Sequence, residues 1–493
     1  MKSYILSIDQ STQGTKAMLV DENGAFLLRR DIPHRQLVSP EGWVGHDATE
    51  IADNIFRVCE KVLHDSGIDP AAVIAVAVTN QRESVAVWDR KTGDPVCESI
   101  VWQCNRAAEL CERLADSRTP ALIREKTGLN YSPFFSAPKV AWILENIPGV
   151  RERAERGELC LGTMDSWTIW QLTDGRSHFT DTSNANRTML YNIQTGTWDE
   201  SLCRFFGIPE SMLPDVLDSD ALFGKTDLRG LLPHEVPIHA AVGDSNAIVV
   251  SHGCIRQGDA LCGYGTGSAV IVNVGHKPIN VTNGANMTTL YSSQGRAVFG
   301  MEGVINYSGA VVTWLTKNAG LAENAAQTSA MAFAANPQDK TYMVPAFTGI
   351  GAPHWKPNAT AAYVGMTRLT GQNELVRAAL ESVAYQIADL VLPAGERLGV
   401  PARELRVAGG PSRNAYLMQF QSDILGCPVV VPEYEELSGI GSAYLAGMAM
   451  GLFDLETVLK QQKTTVFQPK MSEEERQERL LGWKHALDVV FQY

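Results

Sequence analysis

Two aspartates stand where an apolar run gives way to small polar residues. Asp9 follows Ile5, Leu6 and Ile8 and opens the stretch Gln10-Ser11-Thr12-Gln13-Gly14-Thr15-Lys16. Asp244 follows the run Val236 to Val242, inside Gly243-Asp244-Ser245-Asn246. A carboxylate at a strand end can face a divalent cation or take a proton from a positioned hydroxyl. The residues after Asp9 offer backbone N–H groups and hydroxyls, and Gly14 leaves them open to an anion. A second stretch of the same kind, Gly265-Thr266-Gly267-Ser268, lies within Ala260 to Val272. Two phosphate cradles, a metal-side carboxylate (Asp9) and a candidate base (Asp244) are parts that phosphoryl transfer needs. Gly409-Gly410 is a further place where an adenine or ribose can pack against bare backbone. Singly, each has an ordinary reading: a polar hairpin turn for Gln10 to Lys16, a helix cap for Asp244. Their order and their duplication carry the argument.

The elements that must position these groups follow from periodicity. Tyr4 to Asp21 reads as strand, polar tip, strand, a hairpin with Asp9 at the end of its first arm. Asn23-Gly24 marks a tight turn into a further strand from Ala25. Asp47 with Glu50 has the form of a capping box, Ile51, Ile55, Val58 and Val62 recur at helical spacing, and Gly67 closes the helix. Val73 to Val78 and Val85 to Trp88 read as buried strands around Arg82-Glu83, a charged pair that is either a rim ion pair or a site at a strand end. Ile100 to Gln103 reads as a strand and Asp165 as the N-cap of a helix. The motif at Ala260 to Val272 repeats the opening one, a weak duplication that sets a second half after about Val250. That half is expected to hold a helix from Glu374 to Arg397 with Asn373 as its N-cap, a strand Leu405 to Ala408, a helix from Asn414 to Leu425 and a Gly- and Ala-dense helix from Ser438. No low-complexity linker intervenes, so two domains, 1–249 and 250–493, are expected to meet at a hinge.

Bulk properties narrow the classes. A chain of 493 residues exceeds one ordinary domain. A net charge of −13 argues against nucleic acid or an anionic membrane as partner. Nine scattered cysteines without a C-x-x-C pair fit reduced thiols rather than a disulfide framework or a zinc site. No apolar run has the length of a membrane span.

Two longer stretches are more specific: FFSAPKVAWILEN (Phe134 to Asn146) and AAYVGMTRLTGQNELVRAALE (Ala361 to Glu381). Both resemble signatures of the FGGY carbohydrate kinases, and the likeness runs over nearly the whole chain. NQRES (Asn80 to Ser84), IVWQCNR (Ile100 to Arg106), SNANRTMLYNI (Ser183 to Ile193), VPAFTGIGAPHW (Val344 to Trp355) and MQFQSDILG (Met418 to Gly426) are most similar to the glycerol kinase branch. The resemblance implies an α/β, two-domain actin/Hsp70-like ATPase fold (ribonuclease H-like) with its active site in the interdomain cleft. The first domain would bind substrate and phosphate, the second nucleotide. It implies a cytoplasmic enzyme that uses ATP and Mg²⁺ to phosphorylate a small polyol or sugar, glycerol first among them, and that assembles as a homodimer or homotetramer. By residue, it implies that Arg82 and Glu83 bind the polyol hydroxyls and Trp102 packs on the carbon chain. Phe134, Ser245 and Ala269 line the pocket, and Asp244 accepts the proton. Asp9 would hold Mg²⁺ through water, with Asp244 beside it. Thr12, Gln13, Lys16, Gly265 and Thr266 would touch phosphates, and Gly309, Thr313, Gly410 and Asn414 would line the nucleotide.

The chain departs from the pattern of that branch at Phe134, usually Tyr; at Ser245-Asn246, usually two Gln; at Ala269, usually Phe; and at Gln13, usually Thr. The Gly/Arg loop for fructose 1,6-bisphosphate has no counterpart in Asp227 to Val236. A larger pocket with one hydroxyl donor fewer discriminates differently among polyols. A tetritol, a pentitol or a xylulose-like ketose is therefore the alternative substrate. A non-catalytic ATP-binding regulator or filament-forming actin relative and a metal-dependent phosphatase are the readings from other classes; Asp244 and the Arg82-Glu83 pair argue against the first, and the substrate-loop residues against the second.

Overall fold

The computed structural model describes residues 2–281, 284–433 and 438–492. Two sheets dominate it. The first comprises β1 (Tyr4–Gln10), β2 (Gly14–Asp21), β3 (Phe26–Pro33), β4 (Val73–Asn80), β5 (Leu222–Thr226) and β6 (Val236–Gly243), in the order β5-β6-β4-β1-β2-β3. The second comprises β7 (Ala260–Tyr264), β8 (Ser268–Gly275), β9 (Asn286–Ser293), β10 (Arg296–Ile305), β11 (Leu405–Ala408), β12 (Val429–Pro432) and β13 (Thr464–Phe467), in the order β9-β10-β8-β7-β11-β12-β13. The hairpin β1–β2 pairs antiparallel, as does β2 with β3, while β4 and β6 add in parallel beyond β1. The second sheet repeats this: β7–β8 and β8–β10 antiparallel, β11 and β12 parallel beyond β7. The duplication sensed in two short loops is thus a duplication of strand order and direction.

Both faces of the first sheet are covered, and the residue alternation shows how. Leu6, Ile8, Val76 and Val78 pack with Ile51, Ile55, Val58 and Val62 of α1 (Ala48–Ser66). Asp47 caps that helix by accepting from Thr49 N and Glu50 N, and Gly67 ends it in the left-handed region. Ile5, Val20, Ala75, Ala77 and Val242 point the other way, onto Ile440, Ala443, Tyr444 and Leu445. The helices used below are α2 (Ser136–Asn146), α3 (Asp244–Ser251), α4 (Gly309–Thr313), α5 (Gln372–Leu398), α6 (Ala415–Leu425) and α7 (Ser438–Ala449). The inner cover of the first sheet is therefore α7, supplied from beyond residue 437. Its glycines make this fit: a Cβ on Gly441 would stand 1.9 Å from the carbonyl oxygen of Ala247 in α3. On the second sheet, Val383, Ala384, Ile387 and Val391 of α5 pack on Val270, Val272 and Val407.

Three local expectations change. The strand expected at Ile100 to Gln103 is only Ser99–Ile100, because Cys104 N turns back to Val101 O and Trp102 N is taken by the Ser84 hydroxyl. The N-cap of α5 is Gly371 rather than Asn373, since the Glu374 carboxylate reaches back to Gly371 N at 2.8 Å. Asp165 lies in the first turn after the N-cap Thr163, and its carboxylate accepts sideways from the hydroxyls of Thr163 and Thr180. All nine cysteines are unpaired, and among the described residues no helix is long and apolar enough to cross a membrane.

Candidate active site

Parallel pairing brings three chain segments to one edge. Gln10 of β1 and Gly243 of β6 both align with Asn80 of β4. Asp9, the segment Asn80 to Ser84, and Asp244 consequently emerge side by side at the carboxyl ends of parallel strands, the place where open α/β sheets bind ligands. A short helix, Thr182–Asn186, buttresses this edge: Gly243 N donates to the Ser183 hydroxyl at 3.0 Å, and Asn184 and Asn80 exchange amide hydrogen bonds.

Asp9 is fully buried. Its Oδ1 accepts from the Ser11 hydroxyl at 2.8 Å, and its Oδ2 accepts from Lys16 Nζ at 3.3 Å and from the Ser438 hydroxyl at 2.7 Å. Asp244 opens α3 and keeps 34% of its side chain exposed to the cleft. Ser245 donates to its Oδ1 through both backbone N–H and hydroxyl. Poor hydration at the base of the cleft pushes the Asp244 carboxyl up to about 6; Arg82 opposes this, and the charges of Asp9 and Glu83 reinforce it. A carboxyl in that range is suited to accepting a proton near neutrality.

Arg82 lies across the end of β6, over a position where a Cβ on Gly243 would come within 2.7 Å of its Cγ. Its Nη2 donates to Glu302 at 2.7 Å, while its Nε stands 3.7 Å from Asp244. Glu83, with φ of 62°, turns back to accept from Arg187. Arg187 also donates to the other oxygen of Glu302 at 2.5 Å. Burial alone would raise the Glu302 carboxyl, but Arg187 and Arg82 hold it down to about 2.

Trp102 and Phe134 meet edge to face at 5.8 Å, and the Trp102 indole donates to the Thr12 hydroxyl at 2.9 Å. The loop expected to hold phosphate and the expected pocket wall are thereby tied together. The loop carrying Phe134 is anchored from beneath by Lys139 of α2, fully buried, whose ammonium donates to the carbonyls of Pro133, Phe134 and Phe135. Burial drives its pKa down to about 7, with Glu83 opposing. Gln13 is exposed at the loop tip.

Across the cleft, Ala269 pairs with Val304, and Ile271 with Glu302, along β8 and β10. Paired residues share a face, so Ala269, Val304 and Glu302 stand on one side of the second sheet. Val304 is 50% exposed there, and the small Ala269 leaves it uncovered. Gly265, Thr266 and Gly309 form a cluster: Gly309 N donates to Gly265 O at 2.9 Å and Ala310 N to Thr266 O at 3.0 Å. A Cβ on Gly309 would stand 2.6 Å from Gly265 O and 3.5 Å from Pro411. Gly410 has open space around it, at the strand end that Gly409 makes possible by running with φ of 97° directly against Tyr264 O. Thr313 is exposed at the end of α4 and donates to Gly309 O. The Asn414 side chain is occupied locally, capping α6 and donating to the Thr328 hydroxyl.

The residues that sequence reasoning passed over are Glu302, Lys139 and Ser438; Asn246, noted from sequence only as a departure from the usual Gln, accepts from Arg82 at 3.4 Å. Glu302 had a signal: it is the one acid within the apolar strand Val298 to Ile305. Among the described residues no cluster of three or more His, Cys, Asp or Glu gathers as a ready metal site. Two carboxylates at one sheet edge, Asp9 and Asp244, nevertheless fit Mg²⁺, which keeps most of its water and takes one or two carboxylates plus phosphate oxygens.

Comparison with known proteins adds the remaining evidence. The N-terminal domain of the FGGY family of carbohydrate kinases matches residues 4–251, and its C-terminal domain matches residues 260–450. The chain is 42% identical over 489 residues to glycerol kinase 1 of Thermotoga maritima, covering 98% of this chain and 99% of the relative. It is 39% identical to a glycerol kinase of Geobacillus sp. over the full length of both. Among solved structures, Plasmodium falciparum glycerol kinase with ADP superposes with a TM-score of 0.93 at 33% identity, over 99% of this chain and 98% of that one. Xylulose kinase of Rhodospirillum rubrum has the same fold, with a TM-score of 0.88 at 21% identity over the whole of both chains.

Proposed function

From the premise that this chain belongs to the FGGY family of carbohydrate kinases, with its two-domain actin/Hsp70-like, ribonuclease H-like fold, we propose that it transfers the γ-phosphoryl group of ATP to a primary hydroxyl of glycerol, giving glycerol 3-phosphate. The observation that carries this reading is the arrangement at one strand edge: Asp244 beside Arg82, with Asp9 and the loop Ser11 to Lys16 adjoining. Arg82 and Glu83 orient the polyol hydroxyls, and Trp102 and Phe134 cover its carbons. Asp244 takes the proton of the attacking hydroxyl as the O–P bond forms, and ADP leaves with the bridging oxygen. Backbone N–H groups around Thr12, Gln13, Gly265 and Thr266 hold the phosphates, with Lys16 behind them, while Gly309, Thr313, Gly410 and Asn414 border the nucleotide. Asp9 and Asp244 would hold Mg²⁺, which would supply neutralisation of phosphate charge. We assign substrate and phosphate binding to residues 1–249 and nucleotide binding to 250–493, and place the enzyme in the cytoplasm as a homodimer or homotetramer.

One observation favours a second substrate class. Ala269 leaves Val304 half exposed on the sheet face that also carries Glu302, which gives room for a tetritol, a pentitol or a ketose. ADP release measured with glycerol, C4 to C6 polyols and ketoses tests both. Glycerol is expected to give the highest kcat/KM; a longer substrate surpassing it would establish the second reading, and no polyol-dependent ADP would overturn both.

A further inference from the structure

Behind the substrate-binding pair runs a chain of buried charges of alternating sign: Glu83, Arg187, Glu302, Arg82. Arg187 is 2% exposed and lies between two carboxylates, donating to Glu83 and, at 2.5 Å, to Glu302. Glu302 is equally buried, with one oxygen on Arg187 and the other, at 2.7 Å, on Arg82. Arg82 ends the chain 3.7 Å from Asp244. Three members come from the first domain, around β4 and the short helix Thr182–Asn186. Glu302 alone comes from the second, on β10.

This single origin has a consequence. Each guanidinium satisfies part of its donor set only through an acid carried by the other domain. If the domains separate, Glu302 withdraws, and burial no longer leaves Arg82 a full set of acceptors. Asp244 is the nearest remaining carboxylate, so Arg82 is drawn toward it and away from the position in which it meets a hydroxyl. With Glu302 seated, Arg82 is held between Glu302 and Asn246, and Glu83 is held by Arg187. Closure of the second domain therefore fixes the geometry of a recognition pair belonging to the first.

We propose that Glu302 is a positioning residue that makes polyol binding by Arg82 and Glu83 conditional on the position of the nucleotide-binding domain. It touches neither the polyol nor ATP; it acts through the two arginines. This rests on the reading of Arg82 and Glu83 as the polyol-binding pair. Coupling between two sites through one such element is typically about 5-fold or more in affinity.

The test is calorimetric binding of glycerol, with and without Mg²⁺ and a non-hydrolysable ATP analogue, to the unaltered protein, Glu302→Gln and Glu302→Asp. The nucleotide analogue is expected to tighten glycerol binding by about 5-fold or more in the unaltered protein. In Glu302→Gln that ratio should fall toward one while the affinity for the analogue alone stays within about twofold, and Glu302→Asp, which keeps the charge at shorter reach, should restore part of the ratio. A merely structural role would lower the melting temperature and leave the ratio intact. Undiminished coupling in folded Glu302→Gln would overturn the inference alone; should that variant not fold, full coupling in Glu302→Asp with weakened binding of the analogue would do the same. Failure of the unaltered protein to bind glycerol or any C4 to C6 polyol would overturn the substrate reading, and this inference with it.

Discussion

Asp244 and Asp9 have the same residue type, lie at the same sheet edge and have opposite surroundings. Asp9 is engaged by a lysine and two hydroxyls, whereas Asp244 faces the cleft with an arginine held off by Glu302. That difference supports the proposal that Asp244 is the proton acceptor. Asp244→Asn should lower kcat by on the order of 10²–10⁴ while calorimetric ATP affinity changes little; a variant with near-normal kcat would remove Asp244 from the role. Ala269 sets a second expectation. Ala269→Phe combined with Phe134→Tyr should narrow the pocket and return a hydroxyl, raising the kcat/KM ratio of glycerol over a pentitol by roughly 10-fold or more. An unchanged ratio would mean that the face bearing Val304 does not border the substrate.

At the scale of the element, the hairpin tips and the strand ends could be read from sequence because their signals are local. Apolar runs stop at Asp9 and Gly243, and glycines punctuate the loops. The partners of those residues could not, since Arg82 and Glu302 lie 220 positions apart and Arg187 and Glu302 lie 115 apart. Helix starts were misread by two residues at Gly371 and at Thr163 for the same reason: a side chain reaching back or sideways decides the cap, and composition does not report its direction. The Gly- and Ala-dense helix α7 was legible as a close-packing element, but not which sheet it would cover. Its contact with α3 is testable. Gly441→Val places side-chain carbon where the Ala247 carbonyl now sits, and should cost about 1–3 kcal/mol or more. A denaturation midpoint equal to that of the unaltered protein would show that α7 and α3 are not so close.

At the scale of the whole molecule, one buried acid is expected to contribute its own pH dependence to stability. Loss of hydration, reinforced by Asp181, raises the Asp165 carboxyl from 3.8 to about 6. The folded state then binds a proton more readily than the unfolded state between these values, so this group's contribution falls as pH rises through that window. The difference in melting temperature between the unaltered protein and Asp165→Asn should therefore shrink or reverse on going from pH 4 to pH 6.5. A difference independent of pH would mean that Asp165 titrates as it does in the unfolded chain. The pairing of α7 with the first sheet bears on how the protein is made. During synthesis, the strands from Tyr4 to Gly243 leave the ribosome long before Ser438 does. Until then Ile5, Val20, Ala75, Ala77 and Val242 have nothing from α7 against them. The nascent chain thus leaves this apolar sheet face covered only in part, by Ala247 and Val250 of α3, for the time needed to translate about 200 further residues, on the order of 10–40 s, and it is this face that a ribosome-associated chaperone would have to shield.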